Sequence, residues 1–434
     1  MSSRQIIVVG GGAAGFFAAI TCAEELPDAD VTILEKSSEF LSKVRISGGG
    51  RCNVTHARFD PRDFATRFPR GEQELIGPFQ RFQARDTVAW FKGRGVKLNA
   101  ECDGRMFPLS NSSQTIIDCL IGAAEAAGVR LRTNCGVEQV TQIVGRASRP
   151  SDPHHEQQAG GTPAPPNGFD LTLSSGETLF CDRLLLATGG CRTAEGGQLA
   201  VSLGHTLEPP VPSLFTFDLE TPWLQELAGV SVESVDASVP GTELRERGPL
   251  LVTHTGLSGP VILRLSAWGA RELHDREYRF PLHLHWLPKL DQEEIATELQ
   301  WRRSQQPARL VVNAPIPPLP ARLWEQLVIA AGVRRDTRWG VITRSAQHGL
   351  LQQLIRTELP VTGKSLNKEE FVTCGGVRLS EVNFRTMQSR ACPGLYFAGE
   401  LLDIDGLTGG FNFQAAWTTG WIAGHAMAEN QAQS

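Results

Sequence analysis

The stretch Ile6-Ile7-Val8-Val9-Gly10-Gly11-Gly12-Ala13-Ala14-Gly15 decides the fold. Four apolar residues, the β-branched Ile6, Ile7, Val8 and Val9 in unbroken sequence, read as a short strand buried on both faces. Gly10, Gly12 and Gly15 then fit G-x-G-x-x-G. Gly10 permits the tight turn, Gly12 lets the backbone approach a pyrophosphate, and Gly15 lets the following helix pack close to the strand. The helix runs on from Phe16 to Leu26, and its first amides, Ala14 among them, are placed to hold phosphate. A second strand, Val31 to Leu34, ends at Glu35, 20 residues after Gly15. An acid there accepts hydrogen bonds from an adenosine ribose, with Lys36 next to it. Strand, glycines, helix, strand and acid in that order predict a dinucleotide-binding α/β domain.

Outward from this core, a chain of 434 residues has room for two or three domains. At 41% hydrophobic and 21% charged, its composition is that of an ordinary soluble globular protein. A net charge of −5 excludes no partner class, because local patches matter more than the sum. Nine cysteines with no C-x-x-C pair argue against a disulfide framework or a structural zinc site and for a reducing compartment. Met1 to Gln5 lead directly into the first strand, whose apolar run is too short for a signal peptide, and no run approaches a membrane span. The expectation is a cytoplasmic protein without metal or membrane partner.

Ser47-Gly48-Gly49-Gly50-Arg51-Cys52-Asn53 sits in a second glycine-rich loop within 36–56, too rich in glycine for a helix and open to close backbone approach by a ligand. Residues 58–97 read as helical and basic, with nine basic residues against five acids. Val137 to Val144 and Phe169 to Leu173 read as paired strands, and 146–168 between them, rich in Pro, Gly, Gln and His, as a disordered insertion without function. Its His154-His155 pair is too local to make a metal site. Leu184 to Leu186 is a buried strand ending in Thr188-Gly189-Gly190, small residues suited to a close approach by ligand. From Cys191 the pattern turns to short strands with Pro-rich turns, then to helical segments near 291–303, 320–331 and 345–358. Residues 301–360 carry nine arginines against three acids. The last seventy residues return to strand and glycine loop, and Phe413 to Ala428 form a helix without charge that must be buried. The first and last segments therefore belong together. The expected division is 1–190 with 365–434 as a Rossmann-like domain, 191–290 as a β-barrel-like insertion and 291–364 as its helical portion.

These residues are similar to those of a known family. Val9 to Gly15, Ile46 to Thr55, Gly104 to Pro108, Thr253 to Pro260, Thr373 to Val377, Gly394 to Gly406 and Gly409 to Gln414 resemble the motifs of the YhiN/BaiN-like flavoproteins, NAD(P)/FAD-dependent oxidoreductases, over nearly the whole chain. The resemblance implies one FAD. Glu35 would meet the adenosine ribose, Gly10, Gly12 and Gly15 would frame the pyrophosphate, and Val137 would touch adenine. Ser47, Gly48, Gly50, Arg51, Cys52 and Asn53, with Gly399, Glu400, Asp405, Gly409, Gly410, Phe411 and Asn412, would line the ribityl chain and isoalloxazine. His56, Cys191 to Glu195 and Thr255 depart from the family pattern, on the substrate side. No second dinucleotide fingerprint is present, so a nicotinamide cofactor would visit only as a transient electron donor.

The resemblance implies hydride exchange at flavin N5, in reduction of an activated C=C bond, with a uridine of large-subunit ribosomal RNA as one substrate class. A small-molecule enone reductase and an amine oxidase are alternatives, and a non-catalytic, flavin-bound RNA-binding protein is a third. The basic 301–360 segment serves either RNA reading. For the proton that C=C reduction also needs, Cys52 beside Arg51 is one candidate and a plain packing residue the other reading of it; His254 is the second candidate.

Overall fold

The computed structural model describes residues 3–144, 167–191, 197–365 and 372–429. The insertion expected at 146–168 lies outside them except for its last two residues, and so do Arg192 to Glu195. The chain forms two compact units, Met1–Pro210 with Thr373–Ser434, and Val211–Val372.

The first unit is built on a seven-stranded sheet. Its strands are β1 (Gln5–Val9), β2 (Asp30–Leu34), β3 (Arg130–Arg132), β4 (Arg183–Leu186), β5 (Val382–Asn383), β6 (Gln388–Ser389) and β7 (Leu395–Phe397), in the order β5-β6-β7-β4-β1-β2-β3. The β7-β4-β1-β2-β3 pairs are parallel, with Ile7 between Leu184 and Thr32 in register. Ile6, Val8, Ile33 and Leu184 to Leu186 are wholly buried, as strands covered on both faces require. The uncharged C-terminal helix, Phe411–Ala428, packs on the first helix, Ala13–Glu25. Small residues set that contact: a Cβ at Gly420 would strike the Ala14 carbonyl, and one at Gly424 the Ala18 carbonyl.

Two readings of local structure change. Residues 42–46, expected as loop, wind into a short helical turn that runs into the glycines. The turn breaks at Ser47 (ψ 147°), after which Gly48 and Gly49 are left-handed, so the glycines end a helix rather than prevent one. Arg105–Pro108, within the Gly104 to Pro108 motif, is the central strand of a three-stranded sheet with Thr55–His56 and Leu98–Ala100, where the sequence reads as an extended loop.

In the second unit Thr216–Leu219, Ser231–Ser238, Arg245–Val252, Gly256–Ser258, Phe280–His285 and Thr357–Ser365 close into a six-stranded barrel. Helices Gln292–Gln305, Ala321–Ala330 and Arg344–Ile355 lie between its last two strands in sequence. The division at 290 does not mark a domain boundary: Thr357–Ser365 is a barrel strand, and Leu282, Leu359, Leu299, Trp324 and Trp339 share one apolar core. Strands Leu207–Ser213 and Val372–Val377 pair with each other where the chain passes between units, which places the boundaries later than 190 and 365.

Candidate functional site

Because β1, β2, β4 and β7 run parallel, their carboxyl ends lie along one edge of the sheet. Open α/β sheets bind ligands in the crevice at that edge. The loops leaving these strands carry Gly10 to Gly12, Glu35 and Lys36, Thr188 and Gly189, and Gly399 and Glu400. Residues far apart in sequence are thus brought together by topology.

The three fingerprint glycines have different neighbours. Gly10 has φ 114°, and a Cβ there would strike the Ala187 carbonyl. A Cβ at Gly15 would strike the Gly10 carbonyl. At Gly12 a Cβ would meet nothing within 4 Å. Gly10 and Gly15 are therefore required by the protein's own packing, and Gly12 alone faces open space. Gly12 also caps the Ala13–Glu25 helix without any side-chain hydrogen bond, leaving the first amides to an anion. Glu35 is pinned by its own chain: its carboxylate accepts from Gly11 N (2.9 Å), Ser37 N (2.9 Å) and Ser37 Oγ (2.8 Å). Cys135 N donates to the Glu35 carbonyl at 2.8 Å, which brings Val137, at the head of its strand, beside the acid.

The two glycine loops are tied to each other. With its amide oriented by the network, Asn53 donates to the Thr55 carbonyl and accepts from Gly410 N, both at 3.0 Å. Gly410 (φ 93°) lies so close to Thr55 that a Cβ would come within 2.6 Å of its carbonyl. Thr55 and Thr87 both donate to the Gln414 side-chain oxygen, at 2.6 and 2.9 Å, and Trp417 Nε1 donates to the Val54 carbonyl. Asn412 spends its amide on both backbone groups of Gly406, and Phe411 stacks on His56 at 4.8 Å between centroids. Asp405 is wholly buried and forms a bidentate pair with Arg70. These polar side chains hold the loops in shape, while Gly49 and Gly50 each leave space where a Cβ would stand.

At the ends of β4 and β7, Glu400 joins three segments. Its carboxylate pairs with Lys43 and accepts from Thr373 N at 3.0 Å. Gly189 (φ 79°) is open on its Cβ side, and Gly399 N donates to Thr419 Oγ1 at 2.9 Å. Lys43, Arg70, Thr373 and Gln414 were not legible as site residues. Only Thr373 and Gln414 lie inside quoted motifs, and each partner is a long way off in sequence.

The setting expected for Cys52 is not the one found. Arg51 turns its guanidinium to Glu101 (2.7 Å) and over the Phe107 ring (3.9 Å). Burial pushes the Cys52 thiol up to about 12, against a smaller lowering by hydrogen bonding with Ser47. Cys52 has φ 61° and is wholly buried. His254 belongs to the other unit, exposed on the loop between the barrel strands Arg245–Val252 and Gly256–Ser258. His56, half-buried, keeps its pKa below the ordinary value through burial and the nearby Arg58 charge.

The sheet edge, the fingerprint and the paired glycine loops mark a dinucleotide-binding protein with a Rossmann-like domain. Comparison with known proteins gives the particular group. The chain matches the HI0933-like protein Rossmann domain over residues 4–426. It is 30% identical to a ribosomal RNA dihydrouridine synthase of Escherichia coli (strain K12), across 97% of each chain. With a 3-dehydro-bile acid delta(4,6)-reductase of Clostridium scindens it shares 26% identity, across 98% of this chain and 99% of that one. A solved 3-ketosteroid delta1-dehydrogenase from Sterolibacterium denitrificans shares the fold, with a TM-score of 0.50 at 12% identity over 99% of this chain and all of the other. This chain belongs to the HI0933-like family of FAD-dependent oxidoreductases. Among the described residues, no helix is long and apolar enough to cross a membrane.

Proposed function

We propose that this chain holds one FAD in the crevice and reduces an activated C=C bond, with a uridine of ribosomal RNA as the first substrate to test. The observation that carries the cofactor reading is Gly12: the protein's packing does not need it to be glycine, whereas a pyrophosphate against the backbone would. A Cβ at Gly49, Gly50 or Gly189 would likewise meet nothing within 4 Å. Such a flavin supplies hydride exchange at N5. The chain's task is to bind the adenine half at Glu35, Gly12 and Val137, to hold the loops 47–53 and 405–412 rigid, and to let a proton reach the second carbon. The electrons would come from a nicotinamide cofactor bound only in passing.

Support for the substrate comes from two relatives aligned along their full length, one named for forming dihydrouridine and the other for a delta(4,6)-reductase activity. Both names fit saturation of a conjugated double bond. The arginine-rich segment gives less support than its charge suggests. Arg302 is a core residue, 7% exposed, paired with Glu298 and donating to the Ala314 carbonyl. Arg334 and Arg335 pair with Asp336 and Glu325. Arg309, Arg322, Arg338, Arg344 and Arg356 are exposed without an ion pair among the described residues and are the remaining candidates for phosphate, although Arg309 and Arg322 each already donate to a backbone carbonyl. Mass analysis of ribosomal RNA from cells with and without the gene tests the reading. Dihydrouridine lost with the gene supports it. An unchanged RNA, with turnover of a steroid-like enone by the purified protein, moves the assignment to the small molecule.

A further inference from the structure

We infer that Thr373 is a cofactor-positioning residue whose hydroxyl bonds to the flavin nucleotide held in the crevice. The inference rests on the FAD reading above and adds a residue to it. Thr373 opens the segment by which the chain returns to the first unit, and it is 1% exposed. Among the described residues, its Oγ1 has no hydrogen-bond partner. A buried hydroxyl left so is rare in a native protein, because its desolvation is not repaid.

The surroundings of that hydroxyl point to a ligand. Thr373 N is spent on Glu400 Oε1 at 3.0 Å, and the other Glu400 oxygen is taken by Lys43. Each Glu400 oxygen therefore already has a partner, whereas Oγ1 has none among the described residues. It lies against Gly190, where a Cβ would stand 2.6 Å from Oγ1 and 2.8 Å from Glu400 Oε1. Gly190 follows Thr188 and Gly189 off the end of β4, and Glu400 follows Gly399 off the end of β7. Thr373 thus stands at the carboxyl edge of the two central strands, where the topology places the cofactor. The flavin nucleotide is rich in hydroxyl, carbonyl and ring-nitrogen groups that a threonine can meet as donor or acceptor.

This role has a signature that a structural threonine lacks. Thr373→Val keeps the shape and removes only the hydroxyl. In protein stripped of flavin the lost group had no partner, so the melting temperature should stay the same or rise. In FAD titrations of the same stripped protein, the dissociation constant should rise about three- to tenfold, the range of one net hydrogen bond. Thr373→Ser, which keeps the hydroxyl, should restore binding to near the starting value. Thr373→Val that binds FAD as tightly as the unsubstituted chain would overturn the assignment alone. So would a lowered melting temperature of the stripped Val variant, which would mark a structural hydroxyl. An unsubstituted chain that takes up no FAD would overturn the cofactor reading and this inference together.

Discussion

At the residue scale, the fingerprint separates into glycines that fold the protein and one that meets a ligand. Gly12→Val adds its side chain to open space at an ordinary backbone conformation, φ −95°. The variant should fold with stability within about 1 kcal/mol of the flavin-stripped parent, the small loss being that of a glycine helix cap, yet lose its FAD. Flavin absorbance per protein together with thermal melting checks both halves. Gly10→Ala should do the reverse of a clean binding defect, losing at least about 2 kcal/mol of stability to a strained φ and the collision with Ala187. Cys52 is a second such case. A thiol pushed up to about 12 by burial is a poor proton donor near neutral pH, so the packing reading is favoured. Cys52→Ala should keep its FAD and turn over within about tenfold of the parent, where loss of a general acid would cost about 10²–10⁴-fold.

At the scale of elements, the loop 405–412 depends on the Arg70–Asp405 pair. The Asp405 side chain has no exposure and that of Arg70 12%. Removing one partner of a buried pair strands the other charge. Arg70→Met should therefore cost about 3–5 kcal/mol in urea unfolding, and the double variant Arg70→Met, Asp405→Leu distinctly less. Asp405 is read from the sequence as a cofactor contact, but neither Arg70 nor the pairing could be read there, since 335 residues separate the two. The strands and the fingerprint could be read, because each is a local pattern: β-branched runs, glycines at fixed spacing, an acid at the strand end. The uncharged last helix was equally plain, since eighteen residues, Phe411–Ala428, without Asp, Glu, Lys or Arg have nowhere to go but the interior. What failed were local readings that long-range partners overrule. Residues 42–46 are helical ahead of three glycines, and Arg51 turns away from its neighbour Cys52 to reach Glu101. Arg302, counted with a basic surface, is sealed in the core by Glu298 and the Ala314 carbonyl.

At the scale of the whole molecule, the buried thiols set the alkaline limit. Burial pushes Cys22 and Cys52 up to about 12 from an ordinary value of 9.0, and raises Cys181 as well. Below pH 9 the folded and unfolded chains both keep these protons, and no stability is lost. Between 9 and about 12 the unfolded chain releases them while the folded chain cannot, so stability falls as pH rises. Each such thiol contributes a slope of up to about 1.4 kcal/mol per pH unit. Unfolding free energies measured from pH 8 to 11 should drop steeply, and Cys52→Ala should flatten the drop by one thiol's share.

The central claim is that the crevice at the carboxyl edge of the sheet holds FAD. The most direct test is to purify the protein, denature it and identify what is released by chromatography and mass spectrometry. The account predicts yellow protein that releases one FAD per chain, and the Gly12→Val protein, folded, releasing almost none. Colourless protein that cannot be loaded with FAD, or one that releases a nicotinamide dinucleotide instead, would contradict it.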